Sequence, residues 1–114
     1  MSKLLYAKSL HNLQRLELAD TNIGDKDLRH LANLPKLRTL ILENTDITNG
    51  GLQHLVKLNN MESLSLKKTK VDNDALVYLR QFPRLEELHL KGTKITLETM
   101  YKIQEFAPRC KIKY

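Results

Sequence analysis

The chain has 114 residues and a formal charge of +6, nineteen Lys and Arg standing against thirteen Asp and Glu. That length suits one domain, and the charge favours solubility with a mild pull on acidic partners, but it is too mixed to mark a nucleic-acid binder. Hydrophobic residues make up 41% and aromatics 5%, so the core must be aliphatic; one cysteine excludes a disulfide framework, and no apolar run nears the roughly 20 residues of a membrane-spanning helix.

Residues 1–12 carry Leu4, Ala7 and Leu10 at three-residue spacing, and read as the helical half of a repeat whose strand is missing. Nothing here resembles the long apolar stretch and small-residue cleavage site of a secretory signal. Either this stretch folds over as a cap or the chain is cut from a longer protein, and the second is the favoured expectation.

From Leu13 one pattern recurs every 24 residues, over 13–36, 37–60, 61–84 and 85–108. The first copy runs Leu13, Leu16, Leu18, Thr21, Ile23, Leu28, Leu31, Leu34. The second places Leu37, Leu40, Leu42, Thr45, Ile47, Leu52, Leu55 and Leu58 at the same positions. The third substitutes Met61, Val71 and Phe82, and the fourth keeps Ile95 but substitutes Met100, Ile103 and Phe106. Within each copy the alternation around Leu16 and Leu18 predicts a strand with one buried face, and the three-residue spacing of Leu28, Leu31 and Leu34 a short helical segment. Asp25, Asn49, Asn73 and Thr96 stand just ahead of these segments, where a side-chain oxygen would cap free N–H groups. Pro35 and Pro83 fall where the helix must stop. Residues 109–114 repeat the strand half, with Cys110, Ile112 and Tyr114 inward, Lys111 and Lys113 outward, and a polar end to the stack. One strand and one helix cannot enclose a core alone, so the copies must stack, strand beside strand.

The motif Leu-x-x-Leu-x-Leu-x-x-Thr-x-Ile, followed from Leu13 to Phe106, resembles the leucine-rich repeat family, with Thr21, Thr45, Thr69 and Thr93 where the family usually has asparagine or cysteine. Ile47-Thr48-Asn49 and Ile23-Gly24-Asp25 look like the signature of bacterial repeats of this threonine kind. The resemblance implies an α/β solenoid: a curved stack with a parallel sheet on the concave side and short helices on the convex side. It also implies that the ninth side chain bonds the turning backbone, and that the concave sheet is the binding face.

With the leucines buried, that face presents Arg15, Glu17 and Ala19, then Thr39, Ile41 and Glu43, then Ser63, Ser65 and Lys67, then Glu87, His89 and Lys91, then Lys111 and Lys113. Ala19, Glu43, Lys67 and Lys91 form one column, and Asn22, Asp46, Lys70 and Lys94 another. With Lys68, the later copies become basic while Glu17, Asp20, Glu43 and Asp46 make the start acidic, which suits a partner of complementary polarity. Ile41 is the one sizeable apolar side chain there and a candidate anchor. A competing convex patch gathers Tyr6, His30, His54, Tyr78 and Tyr101, tyrosine being suited to half-wet interfaces.

Three chemistries are set aside. His30 and His54 lie one layer apart but their column offers no third ligand, so no metal site is expected. Ser65, His89 and Glu87 are neighbours, but the relay geometry from one strand is poor and an open sheet offers neither pocket nor oxyanion hole. Cys110 reads as a small apolar residue, and Gly50-Gly51 as no phosphate loop. Nucleic acid is not an expected partner, since no aromatic side chain interleaves with the concave lysines.

The sequence therefore predicts a non-catalytic module that binds another protein, with no cofactor, no small-molecule substrate and no membrane insertion. Its rivals are a domain of a larger enzyme or receptor, a polyanion binder using the C-terminal lysines, and a homodimer through the open N-terminal edge strand. The compartment is not indicated.

Overall fold

The computed structural model describes residues 10–114. Five strands recur in step: β1 (Arg15–Glu17), β2 (Thr39–Ile41), β3 (Ser63–Ser65), β4 (Glu87–His89) and β5 (Lys111–Lys113). They form one parallel sheet in chain order, registered so that Leu16, Leu40, Leu64, Leu88 and Ile112 share a row. The sheet lines the inside of a curved leucine-rich repeat stack. Cross-strand bonding runs past each short strand, as Leu18, Leu42, Leu66 and Leu90 donate their N–H groups to Ile41, Ser65, His89 and Lys113.

Each of the first four strands is followed by a left-handed residue: Asp20 (φ 62°), Asn44 (54°), Lys68 (58°) and Gly92 (79°). Asp, Asn and Gly suit that conformation, whereas for Lys68 it costs about 1 kcal/mol or more. The threonine that follows fixes the turn. Thr21, Thr45, Thr69 and Thr93 each donate the hydroxyl to the carbonyl three residues back, at 2.7, 2.7, 2.8 and 2.7 Å. The role implied for the ninth position is thus filled in all four copies.

The convex segments differ from copy to copy. They are a 3-10 helix (Asp25–Asn33), a single α-turn α1 (Asn49–Leu52), a 3-10 turn (Asn73–Ala75) running into α2 (Leu76–Leu79), and the ten-residue α3 (Leu97–Phe106). The expected caps need correction. The N-caps are Gly24, Thr48, Asp72 and Thr96, and only Thr48 and Asp72 cap with a side chain. Asp25, Asn49 and Asn73 instead reach sideways to the next copy, accepting the N–H groups of Thr48, Asp72 and Thr96 at 2.8, 3.0 and 2.9 Å. These side chains thus tie neighbouring copies together instead of capping their own segments.

Between these two sides lies a column of aliphatic side chains in which Leu28, Leu31, Leu34, Leu40, Leu52, Leu55, Leu64 and Leu88 are fully buried. Burial weakens at the outer layers, where Leu16 and Ile112 have a neighbouring strand on one side only. Tyr114, expected on the inner side, is 68% exposed, and among the described residues no strand pairs the far side of β5. Nor is the last layer polar: Leu97, Tyr101 and Phe106 are exposed too. Leu4 and Ala7 lie outside the described residues.

Candidate strand-face interface

Because side chains alternate along a strand, residues flanking each buried leucine project from the same surface. The register places Arg15, Thr39, Ser63, Glu87 and Lys111 in one row and Glu17, Ile41, Ser65, His89 and Lys113 in the next. Ala19, Glu43, Lys67 and Lys91 follow at the strand exits. Arg15, Glu17, Lys68, Lys91 and Lys113 are exposed, while Thr39, Ile41, Glu43, Lys67, Glu87 and His89 are half-buried. Ser65 is buried and donates its hydroxyl to Glu43 Oε2 at 2.7 Å, so it holds Glu43 rather than offering a surface of its own.

Several expected charges are already partnered. Glu43 faces Lys67 at 3.9 Å, Asp46 faces Lys70 at 3.3 Å, and Arg15 faces Glu17 at 3.6 Å. Such exposed pairs are worth little each, yet the Glu43–Lys67 and Asp46–Lys70 pairs neutralise the boundary between the acidic second copy and the basic third. Among the described residues Lys68, Lys91, Lys111 and Lys113 have no ion-pair partner. The charge asymmetry thus survives as unpaired lysines at the later strands.

At the strand exits the left-handed turns leave a concavity of about 330 Å³ lined by Asp20, Glu43, Asn44, Lys67, Lys68 and Lys91. Asn44 closes one wall by donating its amide to Asp20 Oδ1 at 2.8 Å. Asn44 was not singled out from sequence; the signal was present in the 24-residue column Asp20, Asn44, Lys68 and Gly92, three turn residues and one lysine.

Glu87 and His89, for which a poor geometry was expected, do touch, with Glu87 Oε1 2.8 Å from His89 Nε2. The pair is made because alternate residues of one strand lean together above the sheet. Ser65 takes no part, its hydroxyl being committed to Glu43 on the other side. No relay links the three. Burial, reinforced by the Glu87 carboxylate, pushes the Cys110 thiol up to about 11, which suits a buried apolar residue and not a nucleophile. The Asp72 carboxyl is held below its ordinary value first by the Asn49 amide, then by the Asp74 N–H and by Lys94.

On the convex side His30, His54 and Tyr78 are half-buried and Tyr101 is exposed, while Tyr6 lies outside the described residues. Tyr78 packs against the core and, with Val77 and Leu76, lines a shallow groove of about 510 Å³; Tyr101 stands outside it. A neighbouring hollow is crossed by Arg80, whose guanidinium lies 5.7 Å from the centre of the Phe106 ring. No group of three or more His, Cys, Asp or Glu among the described residues could hold a metal ion.

The leucine-rich repeat family model matches residues 9–32 and 33–56, two adjacent units of 24 residues. No curated protein matches the chain by sequence. Among solved structures, internalin C2 of Listeria monocytogenes is 26% identical with a TM-score of 0.71, over 90% of this chain and 43% of its own. A chain of the SNF/U2A' complex of Drosophila melanogaster is 21% identical with a TM-score of 0.70, over 93% of this chain and 62% of its own. A leucine-rich repeat protein of Leptospira interrogans is 20% identical with a TM-score of 0.62, over 95% of this chain and 33% of its own. The chain spans less than two thirds of each of these three structures.

Proposed function

Starting from its membership of the leucine-rich repeat family, we propose that this chain is a recognition module that binds a partner protein across its strand face. Domains of this family are generally protein-interaction modules without catalysis of their own. The observation that carries the reading here is the register. The strands hold Thr39, Ile41, Glu43, Lys67, Glu87 and His89 half-buried in two fixed rows and an exit column, with Lys91 exposed at the end of that column. A surface already fixed in this way loses little side-chain freedom on binding. Ile41 is the apolar centre of this face, and the unpaired lysines give the partner its expected acidic character. The neighbouring complex from Drosophila melanogaster supports a protein partner in general terms only.

The test is a selection of displayed protein fragments from the source organism on the immobilised chain. The fragments are then rebound to two variants. Ile41→Glu with Lys91→Glu alters the strand face; Val77→Glu with Tyr101→Glu alters the convex side. Loss of binding with the first and retention with the second is the expected result. The reverse pattern would move the interface to the convex side.

A second reading rests on the unpaired Lys68, Lys91, Lys111 and Lys113, which would suit a polyanion. It predicts affinity that falls steeply with salt and does not discriminate among polyanions.

A further inference from the structure

We propose that the concavity at the strand exits captures a carboxylate-bearing, acidic segment of the partner protein, with Lys68 and Lys91 as its cationic contacts. The inference rests on the strand-face reading and names the chemistry at one rim of that face.

Four observations converge. The concavity of about 330 Å³ contains both charge signs, but its acids are already engaged. Glu43 accepts the Ser65 hydroxyl and faces Lys67, and Asp20 accepts the Asn44 amide. Lys68 and Lys91 are exposed and, among the described residues, have no ion-pair partner. An incoming carboxylate therefore meets two uncommitted ammonium groups.

The second observation is backbone conformation. Lys68 sits at φ 58°, in the column whose other members are Asp20, Asn44 and Gly92. Its side chain is exposed, so core packing does not explain a lysine where a turn former would fold more easily. Strain retained at an exposed residue that lines a cleft is a pointer to binding.

Third, the next layer leaves room for it. A Cβ on Gly92 would stand 3.0 Å from Lys68 Cγ and 3.3 Å from its amide nitrogen. The glycine accommodates both its own turn (φ 79°) and the stem of the neighbouring lysine. Fourth, the surrounding field is basic, with Lys94, Lys111 and Lys113 on the following strands and exits. It favours an anion arriving from solvent.

The experiment uses the full chain and a fluorescein-labelled eight-residue peptide carrying four glutamates, titrated by anisotropy at low salt. Thermal melting of Lys68→Gly is followed in parallel. Lys68→Gly is expected to raise the melting temperature by roughly 4 °C or more as the turn relaxes, while peptide affinity falls at least threefold. Lys57→Ala, an equal loss of charge on an exposed convex lysine, should leave affinity unchanged. A Lys68→Gly protein that melts no higher, or binds as tightly as the parent, overturns the proposal, as does an equal loss with Lys57→Ala. A single-stranded oligonucleotide of matched charge that competes as well as unlabelled peptide also overturns it, because the pocket would then read charge alone. These readouts are independent of Ile41, so failure here leaves the fragment-selection result on the strand face standing.

Discussion

The strand side and the convex side of this chain obey one 24-residue spacing and come out differently. On the strand side every copy gives the same object: three residues around a leucine that is half-buried in the first copy and fully buried in the other three, a left-handed residue, and a threonine bonded three residues back. On the convex side the same spacing gives a nine-residue 3-10 helix, a four-residue α-turn, a 3-10 turn running into α2, and a ten-residue α-helix. Strands are tied to neighbours by backbone bonds, so each must copy the one beside it. Convex segments meet mainly through side chains, and each is free to take the helix its own residues prefer.

Phe106 shows the consequence. Met100, Ile103 and Phe106 occupy the positions of Leu28, Leu31 and Leu34. Three-residue spacing matches a 3-10 helix, so Leu28, Leu31 and Leu34 stay on one face and are fully buried. In an α-helix each three-residue step falls about 60° short of a full turn. Phe106 is accordingly rotated off the core and left 36% exposed, against 0% for Leu34. The choice of α over 3-10 follows from composition: Leu97 to Phe106 is rich in strong helix formers and carries a Glu98–Lys102 pair at 4.0 Å, whereas Asp25–Asn33 includes the weaker Asp25, Asp27, His30 and Asn33.

The largest contrast between the sides should appear on deleting side chains. Leu64 is fully buried at the centre of the sheet between Leu40 and Leu88 of the two flanking strands. Leu64→Ala should cost about 2–5 kcal/mol in urea unfolding. Val77→Ala, at a convex position 52% exposed, should stay within about 0.5 kcal/mol. Comparable losses at both would mean that the convex layer is as tightly specified as the strands.

Adjacent glycines make a sharper test within the convex side. A Cβ on Gly51 would fall 2.5 Å from Asp25 Oδ1 and 3.0 Å from Leu28 Cδ1, while one on Gly50 meets nothing nearer than 3.4 Å. Asp25 cannot simply swing away, because it accepts both the Thr48 N–H and the Thr48 hydroxyl. Gly51→Ala should therefore destabilise by about 1–3 kcal/mol, whereas Gly50→Ala should be neutral or stabilise by about 0.5 kcal/mol. Equal effects at the two positions would show that the Asp25 bridge yields easily, and that side-chain contacts between convex segments hold little.

How far the sequence reached follows the same division. Strand positions, register and the outward rows were legible because each buried leucine fixes its two neighbours by alternation. The threonine bond was legible through the family resemblance. The sideways reach of Asp25, Asn49 and Asn73 was not, since a one-residue shift in cap position is invisible to spacing and depends on where the next copy's N–H group falls. Ser65 looked outward by alternation and is buried, because the long Glu43 side chain accepts its hydroxyl from the adjacent strand. Tyr114 was misplaced for another reason: alternation gives a direction, but burial needs a layer to cover it.

The smallest expected effect concerns the last strand, where the regular side begins to lose its cover. Cys110 is 3% exposed, and its thiol is raised from 9.0 to about 11 by burial and by Glu87. A group whose ionised form the fold disfavours leaves stability intact below the unfolded-state value. As pH rises from about 9 to about 11 the unfolded chain ionises first, so stability must fall across that window. Discounted for screening at an outer layer, the slope should be less than about 1 kcal/mol per pH unit. The measurement is the difference between the parent and Cys110→Ala in urea at pH 8 to 11, which isolates the thiol. Convergence of the two stability curves as pH rises would show that β5 keeps its inner face as dry as the central strands do. Parallel curves would show that water already reaches the thiol, and that strand regularity outlasts burial at this end of the stack.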